Sequence, residues 1–356
     1  GMKKNSYGNI EDIVLNVTLV TSKGTYKKLY SNPRISNGPD LNHLVLGSEG
    51  NYGIICDATL KIKPLPEVRI FDSILFHSWE KGVEFMHELS KKKIYPTSCR
   101  LVDNEQFKFG ASLKPATNSR LEKIIDEIKK FYVLKIKGFD VDKLTACTLL
   151  FEGSKKEMEA LHKDCLETGF KYGGMSGGPE NGLRGYLLTF LIAYTRDLAL
   201  EHNVAGESFE LSCPWDCVNE LCEKTKNRIH KRATELGFAK ERVWTSFRVT
   251  QLYETGAAIY VYMILSHKGM DHSKIVHYYE EVEDAARDEV IKNGGSISHH
   301  HGVGKIRKGF IDRTLPRMAV DWQKDIKDAI DPKNIFAVNN TIYRSDEERA
   351  ATQKKF

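Results

Sequence analysis

The sequence predicts an α+β protein built on an antiparallel sheet flanked by helices. Strands and long amphipathic helices alternate along the chain, and the strands are too few and too widely spaced to close a barrel. The two halves of the central region repeat one rhythm of strands and helices, an approximate duplication without a residue-level repeat. At 356 residues the chain has room for two cores.

The elements follow in order. Residues 11–21 alternate, are rich in Ile, Val and Thr, and meet a Ser-Lys-Gly turn at 22–24, which predicts a strand and a hairpin. An apolar run, Leu41 to Leu46, leads into Gly47-Ser-Glu-Gly-Asn-Tyr-Gly53, and Ile54 to Ile62 is the next strand. A strand, a glycine-rich turn and a strand can hold a ligand against backbone amides. Lys63-Pro-Leu-Pro66 marks a boundary, giving domains 1–66, 67–295 and 296–356. In the second, strands are expected at 69–76, 98–102, 146–151, 208–213, 243–251 and 257–265. Helices are expected at 79–92, 121–131, 154–168, 180–200, 215–236 and 272–293, with Ser154 and Glu157 as a capping box. A last helix, 317–330, stops before Asp331-Pro332, and the tail from Ser345 is polar and frayed.

Composition excludes some functions. With 41% hydrophobic and 28% charged residues the chain is globular, and a net charge of +5 without a Lys/Arg block argues against nucleic acid and for a small anionic substrate. The seven cysteines are scattered and odd in number, which points to a reducing compartment and to buried apolar roles. No apolar run reaches membrane-span length; the longest, Tyr186 to Tyr194, reads as a buried helix, and no amphipathic anchor stands out. Gly1-Met-Lys-Lys-Asn5 resembles neither a leader nor a domain start, and Lys354-Lys-Phe356 is no known address, so the chain reads as part of a longer protein.

The densest chemistry lies in Gly294-Gly-Ser-Ile-Ser-His-His-His-Gly-Val-Gly-Lys305. Histidine titrates nearest neutrality, so a run of three between glycines suits proton transfer or substrate binding. A metal site and a plain surface loop are the alternatives. Adjacent histidines on an extended chain point to opposite sides, which suits a metal poorly.

Pro39-Asp-Leu-Asn-His-Leu-Val-Leu-Gly-Ser-Glu-Gly-Asn-Tyr-Gly-Ile-Ile55 resembles the flavin-binding segment of FAD-linked oxidases of the vanillyl-alcohol oxidase type, as do the histidine motif and Asp331-Pro-Lys-Asn-Ile-Phe336. Within that superfamily, five stretches resemble the alkylglycerone-phosphate synthases. They are Cys99-Arg-Leu-Val-Asp-Asn-Glu-Gln-Phe-Lys-Phe-Gly110, Asn181-Gly-Leu-Arg-Gly-Tyr-Leu-Leu-Thr-Phe190, Ala193-Tyr-Thr-Arg-Asp-Leu-Ala-Leu200, Gly206-Glu-Ser-Phe-Glu210 and Ser296-Ile-Ser-His-His-His-Gly-Val-Gly-Lys305. The likeness runs from Gly1 to about Ile342.

The resemblance implies an α+β fold in which part of an FAD-binding domain (1–66) is joined to a cap with a large antiparallel sheet flanked by helices (67–295), before the chain returns to the flavin (296–356). Family members begin well before Gly1, with the loop that holds the FAD pyrophosphate and a peroxisomal address. The implied activity is ether-lipid synthesis: the acyl group of acyl-dihydroxyacetone phosphate is exchanged for a long-chain fatty alcohol, through a flavin N5 adduct and without net oxidation. FAD is the implied cofactor. A homodimer, peripheral membrane association and a peroxisomal location are implied as well.

By the same resemblance Tyr260 is the acid/base, with Tyr262 its rival on the same strand face. A tyrosine titrates near 10, so cationic or histidine neighbours must help it at neutral pH. His299, His300 and His301 supply the proton shuttle. Arg196 binds substrate, its fork suiting phosphate. Arg100 is a second substrate-side arginine, and Arg248 and Lys305 are further cations without an assigned part. Glu49, Gly50, Asn51, Tyr52, Gly53, Ile54 and Ile55 line the flavin, mostly through backbone groups. A rival reading is an FAD-linked 2-hydroxy-acid dehydrogenase, whose members usually carry Gly-Glu-His-Gly where this chain has His299-His-His-Gly302. An inactive chain that binds no flavin is the third.

Overall fold

The structure is a computed structural model that describes residues 1–29, 32, 35–113 and 120–341, so the tail expected to fray from Ser345 lies outside the described residues. The chain forms two compact units: Tyr7–Pro64 with Ile297–Phe356, and Gly1–Ser6 with Leu65–Ser296.

The smaller unit has three antiparallel strands, β1 (Val14–Thr21), β2 (Gly24–Lys27) and β3 (Ile54–Leu60), in the order β2-β1-β3. The expected hairpin forms at 22–24, where the Thr21 hydroxyl donates to the Gly24 carbonyl at 2.8 Å. The strand begins later than its alternation suggests. Residues Ile10–Ile13 form a helical turn instead, whose start is held by the Asn9 amide donating to Asp12 at 3.0 Å. Val17, Leu19, Val45 and Tyr52 make the core, against which Ile326 and Ile330 of the helix Arg317–Ile330 pack.

The larger unit is one seven-stranded sheet. Its strands are β4 (Val68–Phe76), β5 (Ser98–Val102), β6 (Thr145–Gly153), β7 (Met175–Ser176), β8 (Val204–Pro214), β9 (Val243–Leu252) and β10 (Gly256–Ser266), in the order β7-β4-β6-β5-β9-β10-β8. Every pairing is antiparallel. The long helices are α1 (Trp79–Lys91), α2 (Asn104–Ser112), α3 (Arg120–Phe131), α4 (Lys155–Lys171), α5 (Pro179–Glu201), α6 (Val218–Glu235) and α7 (Ile275–Lys292).

The duplication read from rhythm is present in the topology. β4, β6 and β5 on one side mirror β8, β10 and β9 on the other, and the halves join through the short β5–β9 pairing, Leu101 to Val249 and Val102 to Arg248. Strand alternation then sorts the side chains. One face carries Ile74, Leu101, Leu149, Val249, Val261 and similar residues, and α1, α4, α6 and α7 cover it as the main core. The other face is polar along the centre of the sheet, with α5 laid across it.

α5 lies close because Gly182 and Gly185 face the sheet. A Cβ on Gly182 would lie 2.3 Å from the Asp72 carbonyl oxygen, and one on Gly185 2.4 Å from Thr148.

Several expectations are corrected. α5 is not a buried helix: Leu187, Phe190, Leu191 and Tyr194 are exposed, because only the face at 182, 185 and their helical neighbours meets the sheet. Cys56 is exposed on β3. Ser154 does not make the reciprocal capping box; its hydroxyl bonds the Glu157 carboxylate, and Glu67 receives the Lys155 amide at 2.9 Å. An amphipathic surface does exist, since α3 exposes Leu121, Ile124, Ile125, Ile128 and Phe131. No helix among the described residues is long and apolar enough to cross a membrane.

Candidate functional site

In the larger unit, the polar face of the sheet and α5 enclose a cavity of about 310 Å³. Arg100 on β5 and Arg248 on β9 enter it from the junction of the two sheet halves, and Arg196 enters from α5. The structure therefore brings both arginines expected to bind substrate, Arg100 and Arg196, to one cavity. It adds Arg248, whose place on a strand between Phe247 and Val249 was the only sequence signal: a charge in an otherwise apolar run, pointing to the face opposite the core.

The three arginines differ in environment. Arg196 is exposed and forms ion pairs with Glu207 at 3.2 Å and Asp197 at 3.3 Å. Arg100 is 3% exposed, and its guanidinium donates to the Thr189 hydroxyl, to the Gly185 carbonyl at 3.5 Å and toward the Met2 sulfur at 3.4 Å. It also sits 5.2 Å from the centre of the Tyr186 ring. Burial first, and the charge of Arg248 second, pull its pKa down to about 10. Arg248 is 8% exposed and donates to the Tyr262 hydroxyl.

Tyr260 and Tyr262 are two apart on β10, so they share a face and stack with ring centres 6.0 Å apart. The Arg248 guanidinium lies 5.4 Å from the Tyr260 ring centre and 5.1 Å from that of Tyr262, so it is the cation both tyrosines meet. Burial pushes the Tyr260 phenol up to about 12, with Tyr262 adding to the shift and Arg248 opposing it. Burial raises Tyr262 too, against the pull of Arg248 and Arg100. Tyr262 lines the cavity itself.

Gln106, at 7% exposure, also faces the cavity, on a helix that the sequence reading missed. That helix, α2, starts at Asp103, whose carboxylate accepts the Gln106 amide at 2.9 Å. The same carboxylate takes the Phe247 amide and the Ser246 hydroxyl, both at 2.8 Å, and so ties the two sheet halves together. The signal available was Asp103 before Asn-Glu-Gln, an ordinary helix start.

His299, His300 and His301 belong to the smaller unit. Their rings form a chain of edge contacts, with centres 5.1 and 4.7 Å apart, and the Nδ1 atoms of His299 and His300 are 2.9 Å apart. At that distance one ring offers N–H and the other a lone pair, so the two share one proton at Nδ1.

The loop after the histidines is latched to the glycine-rich loop. The Glu49 carboxylate accepts the amides of Val303 and Gly304, each at 2.7 Å. Gly302 is required there, since its φ is +79° and a Cβ would lie 2.6 Å from Glu49 Oε1. Asn340 donates to the Glu49 carbonyl at 3.1 Å. Below, buried Lys327 donates to the carbonyls of Asn51 (2.9 Å) and Phe336 (2.7 Å) and pairs with Asp331.

Of the residues expected at a flavin, Tyr52 turns its side chain into the core, Asn51 is buried, and Glu49 serves the latch. Ile54 and Ile55, 60% and 46% exposed, put an apolar surface beside the turned backbone at 47–53. Gly47 and Gly50 are exposed in that turn, and glycine backbone beside an apolar surface fits a flavin.

The model of the C-terminal domain of FAD-linked oxidases matches residues 65–339. The chain belongs to the FAD-linked oxidases. FAD is accordingly its cofactor. Among members of this family, the alkyldihydroxyacetonephosphate synthase of Caenorhabditis elegans is 43% identical over 96% of this chain and 57% of its own length. That of Dictyostelium discoideum is 27% identical over 98% of this chain and 56% of its own length. A solved alkyldihydroxyacetonephosphate synthase superposes with a TM-score of 0.73 at 23% identity, over 95% of this chain and 55% of that one, and shares the fold. The chain thus spans a little over half the length of the curated relatives it matches.

Proposed function

We propose that the chain carries the substrate-handling part of an ether-lipid synthase that exchanges the acyl group of acyl-dihydroxyacetone phosphate for a long-chain fatty alcohol. The observation that carries this reading is the cavity of the larger unit: buried Arg100 and Arg248, with Tyr262, line a space whose wall also carries apolar groups such as Leu75, Leu188, Trp244 and Ile264. A lipid with a charged head and a long tail needs those two surfaces together. The similarity to alkyldihydroxyacetonephosphate synthases supports the same substrate class.

Bound FAD supplies a redox-neutral centre at which C1 of dihydroxyacetone phosphate changes its oxygen substituent; Glu49 to Ile55 would hold it, through the backbone of the loop and the apolar faces of Ile54 and Ile55. Tyr260 gives and takes the proton at C1. With its phenol held near 12 it starts protonated, and Arg248 is the charge that lowers the cost of the phenolate. Arg196 binds the phosphate, trading its exposed contacts with Asp197 and Glu207 for a dianion. Arg100 fixes the inner wall. His299, His300 and His301 pass protons along their ring contacts. The lipid substrates argue for work at a membrane surface, which the exposed apolar side of α3 suits, and the family resemblance argues for a homodimer and a peroxisomal location.

The test is transfer of labelled hexadecanol into alkyl-dihydroxyacetone phosphate by flavin-loaded protein. Alkyl product with release of fatty acid is expected. Oxidation of a 2-hydroxy acid with no alkyl transfer would replace this reading with the dehydrogenase one.

A further inference from the structure

The two innermost arginines pose a question that substrate phosphate on Arg196 does not answer. Arg100 and Arg248 stand on adjoining strands, paired through Val102 and Arg248, and both are nearly sealed from solvent. Among the described residues neither forms an ion pair. Their partners are a threonine hydroxyl, a carbonyl and a thioether sulfur for Arg100, and one tyrosine hydroxyl for Arg248. The Nε atoms of both are buried without a hydrogen-bond partner, as is Gln106 Oε1 beside them. Two buried like charges facing one cavity call for an anion, because a desolvated guanidinium is tolerated only when paired. The rim arginine already has its carboxylates, so the missing charge belongs inside.

We propose that Arg100 and Arg248 form an oxyanion site for the carboxylate of a long-chain fatty acid, with the tail lying along Leu75, Val102, Leu188, Trp244 and Ile264. A carboxylate suits the place better than a phosphate does. It is a monoanion whose two oxygens match the planar forks, and it brings methylenes to the apolar wall; a phosphate dianion brings more oxygens than these partners serve.

The identity of the acid rests on the exchange reading above; the anion site does not. In that exchange acyl-dihydroxyacetone phosphate and an alcohol give alkyl-dihydroxyacetone phosphate and a fatty acid. The C1–O bond of the ester breaks with its electron pair remaining on oxygen, so the acid departs as a carboxylate and the alcohol's proton is released. A fixed pair of guanidiniums receives that charge as it forms and holds the acid clear of C1 while the alcohol enters.

The test is equilibrium dialysis of the 356-residue chain with labelled dodecanoate, dodecanol and inorganic phosphate. Saturable dodecanoate binding at one per chain is expected, weakened at least tenfold by Arg248→Gln, with dodecanol binding unchanged by the substitution. Equal binding of acid and alcohol, indifferent to Arg248→Gln, would overturn the proposal, as would Arg248-dependent phosphate binding that dodecanoate does not displace. Should Arg248→Gln lose its cooperative melt, Arg100→Lys keeps the charge and removes the fork, and an undiminished dodecanoate affinity there would also overturn it. Exchange lost with dodecanoate binding intact would sink the exchange reading alone; exchange intact without dodecanoate binding would sink this one alone.

Discussion

Replacing Glu49 with Gln is expected to loosen the loop that follows the histidines. The carboxylate accepts two backbone amides at 2.7 Å, from Val303 and Gly304, short enough to be charge-assisted. Glutamine keeps one acceptor oxygen and turns an amide donor toward the other N–H, so one bond is lost and a donor faces a donor. Hydrogen bonds to charged groups contribute about 1.5–3 kcal/mol each, so the substitution should cost about 2–3 kcal/mol locally. That is roughly a 30- to 150-fold rise in the opening equilibrium. Amide hydrogen exchange reads it directly: Val303 and Gly304 should exchange faster by that factor, while amides of the β6 strand in the other unit keep their rates. Unchanged exchange at 303 and 304 would show that Glu49 does not hold the loop, and would return it to direct contact with flavin.

Lys327→Met removes the partner of a buried aspartate and leaves the Asn51 and Phe336 carbonyls short of a donor. A loss of about 3–5 kcal/mol is expected, read as a lower denaturant midpoint for the smaller unit. Gly182→Ala drives a methyl to within 2.3 Å of the Asp72 carbonyl oxygen, which is main chain and cannot step aside. A loss of about 1–3 kcal/mol in the larger unit is expected from its melt. Tyr260 should show no tyrosinate absorbance until the pH nears 12, and Arg248→Gln should delay it further. Since the folded phenol holds its proton more tightly than the unfolded one, its contribution to stability is complete below about pH 10 and is lost as the pH climbs toward 12. A midpoint independent of pH across that window would contradict the burial of the phenol.

The parts of the fold written in local pattern were readable. Ser98–Val102 and Arg317–Ile330 form where alternation and helical periodicity place them, because each presents one apolar face and carries its own stop signal. What pattern alone could not supply is which strands pair. The β5–β9 junction that sets Arg100 near Arg248 depends on contacts far apart in sequence. Arg248 was visible as a charge inside an apolar run, yet its role depends on the face of the sheet it shares with Arg100, which only the strand pairing shows. α2 was missed because its residues alternate weakly and its start rests on Asp103, whose bonds to Ser246 and Phe247 are tertiary. Glu49 and Tyr52 stand in the motif expected to line the flavin mostly through its backbone, and only the fold shows their side chains facing Gly304 and the core. The short helix start at Ile10–Ile13 and the exposed side of α5 show the same limit, since propensity and hydropathy say little about what an element packs against.

The most direct measurement places this chain in the Caenorhabditis elegans relative in exchange for the stretch it matches, loads the chimera with FAD, and follows hexadecanol transfer with Tyr260 intact and as Tyr260→Phe. Alkyl transfer by the first, and its loss by the second with flavin absorbance unchanged, is the expected result. Equal transfer by both would contradict the part given to Tyr260 and move the acid/base to Tyr262; no transfer by a flavin-loaded chimera would contradict the exchange reading itself.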